Sequence, residues 1–268
     1  MSIITNMFII MAFDSDHEFA DECYEIKYDK HLLELKAQRG LFHNLITECL
    51  SKHEDQRSAY NAMFSFLGEL SWLYKMKINL LRLSASIHAP KKTGFCINKT
   101  SYSRENRTIL INFQISENDT QKLALGIYRE GISANSAFYS YFCYCKIIMI
   151  LNPHRKDFAN WVNGNLVCLK TRDAKYIADD LNRNKNVPDT GLYLYDKGRC
   201  ALAHADVTVK NPDKPILKPF DYEDMIRVLK ELALVKELAE IFIHKDLKVP
   251  TWRETVDEWH KRSREMQK

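Results

Sequence analysis

The sequence predicts an α+β protein, in which an N-terminal mixed α/β domain is followed by an all-helical bundle. Short apolar and β-branched runs, typical of strands, lie in the first 115 residues. A capping signal follows, with Ser116 three residues before Asp119. Beyond it, apolar residues recur at intervals of three and four, the spacing of a helix face. We therefore expect an α/β domain over 1–115, a helical bundle over 116–250 and a polar C-terminal tail over 251–268.

In the first domain, alternating side chains predict strands and helical spacing predicts one helix. The runs 3–13 and 24–36 are strand-like. A helix is predicted over 57–74, because its apolar residues fall three and four positions apart. Further strands are predicted at 78–86, 95–98 and 108–113.

The bundle is predicted from helix start and stop signals. The stretch 116–151 contains no Pro before Pro153, which predicts a single long helix. Shorter helices are expected near 158–161 and 174–183, and Asp189 is placed to cap another that runs to residue 204. The last predicted helix, 221–244, is amphipathic and is stopped by Pro250.

Composition narrows the classes of function. The net charge of +4 is too small to indicate nucleic-acid binding by itself, so an RNA site would have to be a local patch. The seven cysteines are odd in number and form no CxxC pair, which predicts reduced thiols in a cytoplasmic protein rather than disulfides or zinc. The sequence has no phosphate-binding loop, HExxH or GxSxG pattern and no run long enough to span a bilayer. We expect neither a cofactor nor a membrane partner.

The candidate chemistry lies in Arg–His pairs with four to six residues between them. Three pairs fit this spacing: Arg82 with His88, Arg199 with His204, and Arg253 with His260. The first lies in a predicted strand and the third on a charged terminal helix, and both positions favour an exposed surface. The middle pair differs, because the small or apolar residues Ala201–Ala203 separate it and would let another helix approach closely.

Four further residues are supporting candidates near this pair. Glu130 and Asn135 either line the same cleft or belong to a polar stripe on a bundle helix. Tyr195 either stacks on a base or is part of the core. Cys200 has helical spacing to His204 that suits a metal, but no second pair completes a site, so a buried thiol is favoured.

The segment 192–205, with its Arg-Cys-Ala-Leu-Ala-His core, resembles HEPN domains, most closely the methylamine-utilisation J-type proteins. Similar patches extend this resemblance over most of the chain: residues 66–72, Arg129-Glu130, Asn135, Phe138-Tyr139, Asn211-Pro212-Asp213 and the closing helix. The resemblance implies a bundle of four or five helices that forms a homodimer. It also implies a metal-independent ribonuclease, in which Arg and His of both protomers line one cleft.

In such a site His204 would move the 2′-hydroxyl proton or protonate the leaving 5′-oxygen, and Arg199 would hold the phosphate. Active family members usually carry a polar residue, often Asn or Asp, where this chain has Cys200. The leading hypothesis is a cytoplasmic endoribonuclease of a toxin or defence kind that cleaves RNA and answers to a regulatory or antitoxin partner. The alternative is a non-catalytic HEPN scaffold or ligand-binding module, with His204 as an interface histidine.

Overall fold

The computed structural model describes residues 6–19, 23–37, 42–88, 107–108, 114–203, 217–218 and 221–265. These residues form two compact units. One comprises residues 119–250, and the other comprises the chain up to residue 118 together with 251–268. Strands lie in the N-terminal region and helices make up the region after it, so the predicted α+β class is confirmed.

A five-stranded antiparallel sheet is the frame of the first unit. Its strands are β1 (Asn6–Ser15), β3 (Cys23–Tyr28), β4 (His31–Lys36), β5 (His43–Leu50) and β6 (Ile78–Ser86). Their order across the sheet is β3-β4-β5-β1-β6. Two short strands, β2 (Glu18–Phe19) and β7 (Arg107–Thr108), pair with each other in parallel.

One helix, α1 (His53–Tyr74), packs against this sheet. On β1 the side chains that face the core alternate and are fully buried: Ile9, Met11 and Phe13. The residues of α1 in the same core recur at helical spacing: Ala59, Ala62, Met63, Phe66, Leu67 and Leu70. Burial of these two apolar faces against each other is the main force that holds the unit together.

The structure refines the predicted elements of this unit. The strand over 3–13 is confirmed from Asn6, the first described residue, and extends to Ser15; the strand over 78–86 is confirmed, and the helix over 57–74 is confirmed but begins at His53. The predicted strand over 24–36 is instead two strands, because Asp29 takes a left-handed backbone angle (φ 49°) in the turn that joins them. Strand β5 was not predicted. The predicted strand 95–98, and all of 108–113 except residue 108, lie outside the described residues.

The second unit is built from helices around α3 and α8. Its helices are α2 (Asp119–Ser133), α3 (Ala137–Met149), α4 (Arg155–Asn165), α5 (Arg172–Arg183), α6 (Thr190–Tyr193), α7 (Ala201–Ala203) and α8 (Tyr222–Ile241). A π-helix, Leu194–Cys200, joins α6 to α7, and a π-helical turn, Phe242–Asp246, follows α8. Helix α3 packs against α2, α8 and the π-helix, so it lies at the centre of the unit.

The single long helix predicted over 116–151 is wrong. The chain forms α2 and α3 instead, and Ser136 caps the second by accepting a hydrogen bond from the backbone N–H of Tyr139 at 3.4 Å. The two helices pack closely at Gly131, where the Cβ of any larger residue would lie 3.0 Å from the ring of Tyr144.

The predicted polar tail contains a helix, α9 (Trp252–Glu265), that belongs to the first unit. The rings of Trp252 and Tyr74 lie 4.6 Å apart, which anchors α9 to the end of α1. Across the described ranges, no helix has both the length and the hydropathy required to cross a bilayer.

Candidate functional site

The π-helix Leu194–Cys200 carries three of the residues singled out from the sequence, Tyr195, Arg199 and Cys200. It follows α6, which begins where the side chain of Asp189 accepts a hydrogen bond from the backbone of Leu192 at 2.7 Å. π-Helical segments are rare in proteins, and those that occur are often found at functional sites. All three side chains are half-buried, so they lie at the boundary between core and solvent.

Arg199 makes soft contacts rather than an ion pair. Its Nε donates to the Sδ of Met149 at 3.2 Å, and its Nη1 lies 3.9 Å from the Sγ of Cys200. Its guanidinium carbon lies 5.7 Å from the centre of the Tyr195 ring. Among the described residues no carboxylate pairs with Arg199. A guanidinium has five N–H donors and sulfur is a weak acceptor, so most of its capacity to bind an anion is retained.

His204 follows Ala203 directly in the chain but lies outside the described residues. The approach of His204 to Arg199 therefore stays a prediction. In α7, between them, Ala201 is buried, Leu202 is half-buried and Ala203 is exposed.

Tyr195 and Cys200 flank the guanidinium. The ring of Tyr195 contacts that of Phe158 edge-on at 5.4 Å, and the same ring lies 5.7 Å from the guanidinium carbon of Arg199. Tyr195 therefore contacts both the buried Phe158 and the guanidinium of Arg199. Within the parts of the chain that the structure describes, no group of three His, Cys, Asp or Glu side chains is placed to hold a metal.

Glu130 and Asn135 lie apart from these residues. Glu130 forms an ion pair with its neighbour Arg129 on α2, and Asn135 lies exposed in the bend before α3. Met149, which Arg199 touches, ends α3, about 20 Å from that bend at 1.5 Å of rise per residue. In the described part of the chain, no hydrogen bond or ion pair joins Glu130 or Asn135 to Arg199. The structure thus brings Tyr195 and Cys200 to Arg199, but not these two residues.

Basic side chains border the π-helix. Arg155, at the start of α4, donates through two guanidinium nitrogens to the carboxylate of Asp196, with a distance of 2.7 Å for its Nε. Lys197 is exposed one residue further along. Three cations, Arg155, Lys197 and Arg199, therefore lie on or against the π-helix beside the Asp196 carboxylate. Such a local excess of positive charge is what a site for a phosphate backbone requires.

Sequence reasoning missed a buried carboxylate behind the π-helix. Glu231 of α8 is 4% exposed and accepts hydrogen bonds from the hydroxyls of Tyr193 (2.7 Å) and Tyr141 (3.2 Å). Arg227 lies 3.9 Å from the same carboxylate. Burial raises the pKa of Glu231, while the Tyr193 hydrogen bond and the charge of Arg227 lower it. A sequence signal exists, since Glu231 interrupts the apolar face formed by Val228, Val235 and Leu238.

Comparison with known proteins gives one family match. Residues 124–244 match the family model described as Methylamine utilization protein MauJ. The match begins within α2 and ends in the π-helical turn after α8, so it covers the whole π-helix, both Arg199 and His204, and Glu231. No curated protein and no solved structure matches the chain.

Proposed function

We propose that the protein is a metal-independent endoribonuclease with Arg199 and His204 as its catalytic pair, because residues 124–244 match the model of the MauJ family, which is a HEPN-type family. The main support for this proposal is the environment of the Arg199 guanidinium. Its guanidinium is half-buried on a π-helix, with sulfur and an aromatic ring as neighbours and no carboxylate partner among the described residues. A guanidinium in this environment has hydrogen-bond donors left to bind a phosphate group.

The reaction follows from the chemistry of RNA. The 2′-oxygen attacks the adjacent phosphorus, a P–O2′ bond forms and the P–O5′ bond breaks. Neutral His204 accepts the 2′-hydroxyl proton, and the leaving 5′-oxygen takes a proton from a protonated His204, the partner's in a shared cleft. Arg199 binds the non-bridging oxygens and opposes the charge that develops on them. The products are a 2′,3′-cyclic phosphate and a 5′-hydroxyl.

The family and the surface of α7 support the assembly. We propose a C2 homodimer through the helical unit, because the exposed Ala203 beside Leu202 offers a small-residue surface for close approach of a second helix. In this account the protein acts in the cytoplasm as a toxin or defence nuclease. The N-terminal unit, or a separate antitoxin, would regulate it.

One observation favours a second function, a non-catalytic HEPN module that binds a ligand or serves as a scaffold. Cys200 occupies the position where active family members usually carry a polar residue. Its Sγ, like the Sδ of Met149, faces the Arg199 guanidinium. Under this alternative, Arg199 would bind an anionic ligand without any cleavage.

The test is cleavage of a fluorescently labelled single-stranded RNA of mixed sequence by the purified full-length protein with EDTA present. We expect cleavage that leaves 2′,3′-cyclic phosphate ends, and no cleavage of the all-DNA oligomer, which lacks the 2′-hydroxyl. Arg199→Lys should lose most of the activity, because an ammonium cannot reproduce a planar bidentate contact. A strict need for Mg²⁺, or 3′-hydroxyl ends, would contradict the proposed chemistry.

A further inference from the structure

The hydrogen bonds of Glu231 connect three elements of the helical unit. Its two carboxylate oxygens accept from Tyr141 on α3 and from Tyr193, the residue directly before the π-helix. An ionised carboxylate is costly to bury unless it is hydrogen-bonded and paired with a cation. The two hydroxyls and Arg227 meet that requirement in this arrangement of helices.

Arg227 extends the cluster to the middle of the π-helix. While its Nε lies 3.9 Å from Glu231, its Nη2 donates to the backbone carbonyl of Lys197 at 2.7 Å. Glu231 is therefore linked to the π-helix at two points: directly through the side chain of Tyr193, which precedes its first residue, and through Arg227 to the backbone of Lys197 at its middle.

Tyr141 fixes the backbone immediately before Arg199. The fully buried Tyr141 ring lies so close to Gly198 that a Cβ there would be 2.2 Å from the hydroxyl oxygen and 2.7 Å from two ring carbons. Because Glu231 accepts from that hydroxyl, the same carboxylate also sets the position of this ring. The path of the chain into Arg199 thus depends on a contact that Glu231 controls.

We propose that Glu231 is a positioning residue, whose buried carboxylate fixes the π-helix and thereby the direction in which Arg199 presents its guanidinium. Glu231 itself touches neither the phosphate nor the reacting atoms. The geometric part of this inference stands on the cluster alone, and its consequence for catalysis rests on the proposed ribonuclease function.

Helix α8 offers a matched control at Glu237. This carboxylate is also buried, at 8% exposure, and accepts hydrogen bonds from the backbone of Lys170 and from the backbone and hydroxyl of Thr171, at the start of α5. Both residues are buried glutamates on one helix, but Glu237 holds a different segment. If the only effect were a general loss of core stability, Glu231→Gln and Glu237→Gln would behave alike. A positioning role predicts instead that each variant loosens a different segment of the chain.

The experiment is amide hydrogen exchange of the full-length protein, followed by mass spectrometry. In Glu231→Gln, peptides that cover 194–200 should exchange at least about tenfold faster than in wild type, because the amide nitrogen that replaces one carboxylate oxygen cannot accept a hydrogen bond from a tyrosine hydroxyl. In Glu237→Gln, the faster exchange should appear around 170–174 and leave 194–200 unchanged. If Glu231→Gln does not fold, Tyr193→Phe removes one hydroxyl and should produce the same local pattern more weakly. Unchanged exchange over 194–200 in the folded variant would overturn the proposal.

Cleavage of the labelled RNA gives the second readout. Misdirected Arg199 should lower kcat by about tenfold or more in Glu231→Gln with KM changed by less than about threefold, while Glu237→Gln keeps the wild-type kcat. Equal loss of kcat in both variants would contradict positioning. If wild type cleaves no RNA, the proposed function fails, and the exchange pattern over 194–200 still decides the role of Glu231.

Discussion

Gly198→Ala is expected to strain the contact between the π-helix and α3. The added Cβ would lie 2.2 Å from the Tyr141 hydroxyl oxygen, where ordinary contacts begin near 3.4 Å. The hydroxyl would have to move away by about 1.2 Å to reach an ordinary contact distance. However, the Tyr141 ring is fully buried, and its hydroxyl is hydrogen-bonded to Glu231. Relief of the clash therefore has to move either the ring or the π-helix.

The expected cost follows from two opposing terms. Overpacking of a well-packed core typically costs about 1–3 kcal/mol. Replacement of a helical Gly by Ala by itself gains about 0.5–1 kcal/mol. Gly126, within α2, isolates the second term, because a Cβ there meets nothing within 4 Å. The free energy of unfolding should thus be about 1–3 kcal/mol lower for Gly198→Ala than for Gly126→Ala.

Urea denaturation of wild type and both variants measures this difference. A second background, Tyr141→Phe, removes the closest atom, so Gly198→Ala should cost less there than in wild type. If Gly198→Ala is as stable as Gly126→Ala, the close approach of Tyr141 to the π-helix does not exist, and the account of how Arg199 is positioned loses its basis.

Two further predictions concern the first unit and the assembly. Burial raises the pKa of Glu69, which accepts hydrogen bonds from Tyr28 and from the segment at Ile115 and Ser116. Its folded state binds the proton more tightly than the unfolded chain, so its contribution to stability is full below pH about 4.5 and declines as the pH rises through the raised pKa. In urea titrations wild type should lose stability relative to Glu69→Gln as the pH rises above about 4.5, and a constant difference would refute this. Light scattering at micromolar concentration should show a dimer, and a monomer there would rule out the proposed C2 assembly.

The fold was predictable where one periodicity runs through an element. Strand β6 and most of β1 were predicted as short apolar or β-branched runs, and most of α1 from its helical spacing. The turn at Asp29 and the break before Ser136 were not predicted, because neither position carries the Gly or Pro that marks most turns. At Asp29 the chain turns through a left-handed backbone angle, and at Ser136 a serine side chain caps a new helix. A single polar residue within a regular pattern does not mark either feature in the sequence.

The candidate site was predictable as far as it is local in sequence. Tyr195, Arg199 and Cys200 lie on one segment: Tyr195 and Arg199 are four residues apart, the spacing of neighbours on a helix face, and Cys200 is adjacent to Arg199 in the chain. Glu130 and Asn135 were predicted either to line the same cleft or to form a polar stripe on one long helix, and the break at Ser136 leaves no single helix that could carry such a stripe. Glu231 comes from a distant part of the chain, and its role depends on how α8 packs against α3, which spacing does not specify.

Cleavage by the Arg199–His204 pair can be tested with one rate measurement in EDTA on three proteins. His204→Ala should lower the cleavage rate of the labelled RNA by about 10²–10⁴-fold relative to wild type, because a general acid and base is lost. His260→Ala removes a histidine with comparable spacing to an arginine from the exposed face of α9 and should keep the wild-type rate. Circular dichroism confirms that both variants are folded. Undiminished cleavage by His204→Ala would show that the reaction takes place at another site.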